Sequence, residues 1–119
     1  MLFRSLKKFV EQSANLAAAI SALYQKDYQL LARSFLDLII EPQRSRLVNG
    51  FAQVKAAAVA SGALGAVLSG SGPSMLALTK SPAHAQQVAQ AMVAAFAGEN
   101  IAADYWISPI NPNGAAVIN

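Results

Sequence analysis

Gly65-Ala66-Val67-Leu68-Ser69-Gly70-Ser71-Gly72-Pro73-Ser74-Met75-Leu76-Ala77-Leu78 sets two short apolar runs around a loop in which serine and glycine alternate and a proline closes the turn. Runs of this length and composition predict two strands, 65–69 and 74–79, paired as a hairpin. Glycine admits positive φ and lets another group come close to the backbone. Successive N–H groups and serine hydroxyls in such a loop can form a concavity for an anion, a phosphate or a carboxylate. The same residues also make a plain flexible connection, and short Gly/Ser motifs recur by chance, so the loop alone leaves both readings open.

Downstream of the hairpin, Ser81-Pro82 reads as an N-cap followed by proline at the first helical position. The helix it opens runs over 82–98, with Val88, Met92, Val93 and Phe96 on its buried side and Gly98 at its end. Residues 101–108 alternate as a strand does, bounded by Pro109 and the turn-forming Asn111-Pro112-Asn113-Gly114, and 115–118 form a last short strand. Upstream the period is helical. Over 5–25, Leu6, Phe9, Leu16, Ile20, Leu23 and Tyr24 recur at helical spacing. A second helix starts at the N-cap Asp27, continues through Leu30, Leu31, Phe35 and Leu38, and ends near Glu41 because Pro42 follows. A third covers 45–61 with Leu47, Phe51, Val54 and Val59 inward and Gly62 as its stop. The chain is thus one domain over 1–119, mostly helical over 1–61 and β-β-α-β-β over 62–119. An antiparallel four-stranded sheet with helices on one face buries such elements.

Composition narrows the function classes. Hydrophobic residues make up 55% and charged residues only 13%, against about 25% charged in an ordinary soluble domain. Such a shortage of charge predicts a surface that docks on something else. Cysteine is absent and His84 is the only histidine, so neither a disulfide framework nor a thiolate metal site is available. The lack of cysteine fits a reducing, cytoplasmic setting. The stretch 56–68 is interrupted by Ser61, Gly62 and Gly65 and falls short of the roughly 20 residues that span a bilayer. Arg4, Lys7 and Lys8 mimic the charged start of a signal peptide, but Glu11, Gln12, Ser13 and Asn15 break the apolar run it needs. The net charge of +3 comes from scattered basic residues without an aromatic-rich strand, which argues against nucleic acid.

Two motifs together resemble a known family. Gly62-Ala63-Leu64-Gly65-Ala66-Val67-Leu68-Ser69-Gly70-Ser71-Gly72-Pro73-Ser74 is similar to the third motif of the GHMP small-molecule kinases, G-A-x-G-x-x-[LI]-S-G-S-G-P-[ST]. Glu41-Pro42-Gln43-Arg44-Ser45-Arg46-Leu47 resembles the E-P-x-R-x-x-L element of the homoserine kinases within that family, and Gly114-Ala115-Ala116-Val117 looks like the family's closing strand. Mevalonate kinases and galactokinases carry a glycine run in place of the serine-glycine alternation, and the diphosphocytidyl-methylerythritol kinases lack its Gly-Pro. The resemblance covers nearly the whole chain and implies a ferredoxin-like α+β domain. The family's P-x-x-x-G-L-G-S-S-A loop, which holds the ATP phosphates in an N-terminal domain, has no counterpart here. The expectation is a C-terminal kinase domain, inactive alone, whose partner is that missing domain.

What the resemblance implies for the site follows residue by residue. The intact enzyme would move the γ-phosphoryl group of Mg-ATP to the side-chain hydroxyl of L-homoserine, giving O-phospho-L-homoserine on the way to threonine. Arg44 would hold the substrate carboxylate, since a guanidinium grips a carboxylate through two parallel hydrogen bonds. The alternative for Arg44 is a solvated arginine, or one paired with Glu41 or Asp37. Ser69, Gly70, Ser71, Gly72 and Ser74 would line the mouth of the site and position the transferred group, because phosphoryl transfer depends on alignment and charge neutralisation. The magnesium ligands and any base would lie outside this chain. Arg46 falls off the motif; His84, Tyr105 and Trp106 read as ordinary surface, sheet or interface residues, and Met75 and Met92 as core. Two rivals remain: a domain of another GHMP kinase with a different alcohol substrate, and a free-standing, non-catalytic ligand-binding or oligomerisation module that would form a homodimer.

Overall fold

The computed structural model describes residues 5–118, so Arg4 of the N-terminal charge run lies outside them. Helix α1 covers Leu6–Gln25, with the Ser5 hydroxyl accepting from the Lys8 N–H and Lys26 closing the C-terminus in the left-handed region. Asp27 caps α2, Tyr28–Ser34, by accepting from the Leu30 N–H at 2.9 Å. That helix stops well before the expected end near Glu41, because Asp37 offers its carboxylate to the N–H groups of Ile39, Ile40 and Glu41 and starts a new turn. The new turn is α3, Glu41–Arg44, followed by a 3-10 turn at Ser45–Leu47. Pro42 sits in the first turn of α3, where its missing N–H costs nothing, so the proline opens a helix here.

Helix α4 is Phe51–Ala60, shorter than the 45–61 read from sequence, because Gly50 takes φ +76° and separates it from the 3-10 turn. Gly62, at φ +102°, ends it as expected. Strands β1, Gly65–Leu68, and β2, Met75–Leu78, form the predicted hairpin, paired antiparallel with Ala66 opposite Ala77 and Val67 opposite Leu76. Helix α5, Pro82–Gly98, starts at the Ser81 cap. Ala58 of α4, Ala63, Ala66 of β1 and Val88 of α5 make the core, with Ala77 and Met92 packed against it. Small side chains let α4 approach both α5 and β1 closely, and Val54 and Val88 are the largest fully buried residues.

The α+β class stands, but among the described residues the sheet has two strands where the sequence predicts four. Residues 101–118 carry no strand. The alternation of 101–108 marks extended backbone, yet a strand needs a partner in register. What holds the segment instead is a Tyr105 hydroxyl bonded to Gln86 of α5 at 2.8 Å and a tight turn around Asn111. Apolar side chains at helical spacing on α1, and two read as inward on the third helix, face outward. Leu6, Phe9, Leu16, Ile20, Leu23 and Tyr24 run along an exposed face of α1, and Leu47 and Val59 are exposed beside the buried Phe51 and Val54.

Candidate functional site

Arg44 ends α3, so its position follows from what fixes that single turn. Asp37 fixes the start: its Oδ1 accepts from Ile39 and Ile40 at 2.9 and 2.8 Å, and its Oδ2 from Glu41 at 3.1 Å. From α1, the Gln12 amide spans the approach, donating to the Leu36 carbonyl at 3.1 Å and accepting from the Leu38 N–H at 2.7 Å. Glu41 is buried and forms an ion pair with Lys55 of α4, whose ammonium also lies 5.6 Å from the centre of the Phe51 ring. The other carboxylate oxygen of Glu41, Oε2, is buried without a hydrogen-bond partner among the described residues. Arg44 is exposed, and its side chain makes no ion pair or hydrogen bond with any described residue. Its backbone N–H donates to the Ile40 carbonyl at 3.0 Å. The result is a cation on a fixed corner, open to a solute.

The loop at the tip of the hairpin is closed at its base by the Ser69 N–H, which donates to the Ser74 carbonyl at 2.9 Å. Gly70 and Gly72 take φ of +60° and +80°, the conformations the Gly/Ser alternation predicts. Ser69, Gly70, Ser71 and Ser74 are exposed, while the Gly72 N–H turns inward and donates to the Ser69 carbonyl at 3.2 Å.

These two motifs, distant in sequence, meet through Gly72. A Cβ placed there would lie 3.3 Å from Val48 Cγ2, and Val48 stands directly after the 3-10 turn that continues from Arg44. A shallow concavity of about 360 Å³ lies along this turn and the start of α4, lined by Arg46, Val48, Asn49 and Gln53 among others. A second cleft, of about 210 Å³, lies between α1, α2 and β2 and is mostly apolar.

The remaining candidates stand apart. His84 is exposed and its Nδ1 lies 2.8 Å from the Ser81 hydroxyl, an arrangement that belongs to the cap of α5. Trp106 is exposed. Among the described residues no three His, Cys, Asp or Glu side chains converge as a metal site, and no helix is long and apolar enough to cross a membrane. Sequence reasoning missed Lys55 and Gln12. Their partners lie 14 residues away for Glu41 and 24 and 26 for Leu36 and Leu38, separations no local pattern encodes.

Comparison with known proteins agrees with the two motifs. Residues 19–98 match the model of the family described as GHMP kinases C terminal. A homoserine kinase of Chlorobium phaeobacteroides (strain BS1) is 47% identical over 116 residues, covering 96% of this chain and 36% of that protein. A homoserine kinase of Xanthomonas campestris pv. campestris (strain B100) is 42% identical, over 95% of this chain and 35% of its own length. The crystal structure of homoserine kinase from Cytophaga hutchinsonii superposes with a TM-score of 0.81 at 42% identity, over 84% of this chain and 32% of that one. The chain therefore spans about a third of the length of the relatives it matches.

Proposed function

The chain belongs to the GHMP kinase C-terminal family, and from that premise we propose that it is the C-terminal domain of an ATP-dependent homoserine kinase. The intact enzyme would transfer the γ-phosphoryl group of ATP to the hydroxyl of L-homoserine, giving O-phospho-L-homoserine for threonine synthesis in the cytoplasm. Arg44 binds the substrate carboxylate, and Ser69, Gly70, Ser71, Gly72 and Ser74 border the place where the phosphoryl group passes. The observation that carries the reading is the packing of Gly72 beside Val48, which sets the serine-glycine loop next to the turn that leaves Arg44. A guanidinium for a carboxylate and a rim of N–H and hydroxyl donors for a phosphoryl group suit a phosphorylated amino acid.

Magnesium at a nucleotide site is held by one or two carboxylates together with the phosphates, and the two carboxylates nearest Arg44 in sequence are otherwise engaged, Asp37 by backbone N–H groups and Glu41 by Lys55. We therefore assign ATP, its metal and any base to a separate N-terminal domain, and expect this chain alone to be inactive. The exposed stripe of Leu6, Phe9, Leu16, Ile20, Leu23 and Tyr24 on α1 is the surface we assign to that contact, since a stripe of this kind is costly to leave in water. Residues 1–119 act as one domain in this reading. Residues 101–108 and 115–118 would join β1 and β2 in a four-stranded ferredoxin-like sheet in the intact enzyme.

The test is a substrate panel. This chain replaces the matching C-terminal third of the Chlorobium phaeobacteroides relative, and the chimera is assayed with L-homoserine, mevalonate and galactose. Phosphorylation of L-homoserine alone is the expected outcome. Activity on another of these alcohols, with none on homoserine, would move the chain to a different branch of the family.

A further inference from the structure

The two carboxylates nearest Arg44 in sequence both have other work. Asp37 accepts three backbone N–H groups at the start of α3. Glu41 is paired with Lys55, and the Lys55 ammonium rests over the Phe51 ring. Arg44 is left without a carboxylate partner among the described residues. Glu41 and Arg44 are three residues apart on α3, a spacing that brings side chains within reach on one helical face. Glu41 also keeps Oε2 buried and unpartnered, so its capacity for a further donor is unused. A buried carboxylate that loses its cation recruits another, and a bidentate arginine is a strong replacement.

We propose that Lys55 is a positioning residue: by holding Glu41 it keeps the Arg44 guanidinium free of an internal ion pair, and so open to the carboxylate of an incoming amino acid. The second half of this statement rests on the reading of Arg44 given above. An internal carboxylate on the same helical turn competes at high effective concentration with any dissolved one. Lys55 thus acts on binding through Glu41 without touching the ligand.

The side-chain Nε–Hε resonance of Arg44 reports this directly in the 119-residue chain. It is followed by NMR in the wild type, Lys55→Met, Lys55→Arg, Glu41→Gln and the double variant Glu41→Gln/Lys55→Met, each titrated with L-homoserine. In the wild type the proton should exchange freely with water and move as homoserine is added. In Lys55→Met it should become protected and shift as in an ion pair, with apparent homoserine affinity about tenfold weaker. Lys55→Arg and the double variant should restore both signals, a rescue that a merely structural lysine would not produce. If Lys55→Met does not fold, the wild type and Glu41→Gln decide: an Arg44 proton protected in the wild type and released in Glu41→Gln overturns the proposal. An unchanged Arg44 in a folded Lys55→Met overturns it too. Protection and rescue as described, with no response to homoserine in any variant, support the role of Lys55 and overturn the assignment of Arg44 to the substrate carboxylate.

Discussion

A methyl group on Gly65 would lie 2.7 Å from Phe35 Cδ1 and 3.2 Å from Phe35 Cβ. The glycine is there for space, because the ring just beyond α2 packs directly on the first residue of β1. Gly65→Ala should cost about 1–3 kcal/mol through forced movement of a packed ring, read as a lower urea midpoint at unchanged slope. Full stability in that variant would mean that Phe35 has room to swing away. The loop glycines obey a different constraint: Gly70 has open space around it and needs only its φ of +60°. At this scale the sequence singles out the loop and Arg44 as candidates by residue type, and the structure shows the loop glycines at positive φ and Arg44 exposed, while Lys55 and Gln12 leave no local signal because their partners are remote.

Among the elements, α4 shows why helical phase was hard to read. Seven of its ten residues, Phe51–Ala60, are alanine or valine on more than one face, so the apolar period is nearly flat and both Val54 and Val59 looked inward. The structure buries Val54 completely and leaves Val59 half exposed. Val54→Ala should therefore cost about 2 kcal/mol and Val59→Ala less than about 0.5 kcal/mol, a contrast that thermal or urea unfolding resolves. Equal losses would place the helix in another rotation. The link between α1 and the Arg44 corner is polar instead: Gln12→Ala removes both bonds to residues 36 and 38 and should cost about 1–2 kcal/mol. The hairpin and α5 were legible because Ser81-Pro82 and the Gly/Ser turn are strong local signals. The end of α2 was misread because Asp37 caps the following turn and Pro42 opens it, a choice between stop and start that proline alone does not make. The expected third and fourth strands are not formed among the described residues for a different reason, since alternation gives extension but no partner.

On the scale of the whole molecule, the low charge content and the exposed apolar face of α1 are one fact seen twice. The core formed by Ala58, Ala63, Ala66 and Val88 is small, and larger side chains such as Phe9, Leu16 and Tyr24 remain outside it. The matched relatives are about three times this length, and the second domain proposed above would cover such a surface. The central claim is that Arg44 reads the substrate and not the nucleotide, and steady-state kinetics of the chimera with the Chlorobium phaeobacteroides relative tests it most directly. Arg44→Ala should raise the KM for L-homoserine about 100-fold or more, the loss of a charge-assisted bidentate pair, while the KM for ATP stays within about twofold. An equal rise in both constants, or no change in the KM for homoserine, would contradict the account.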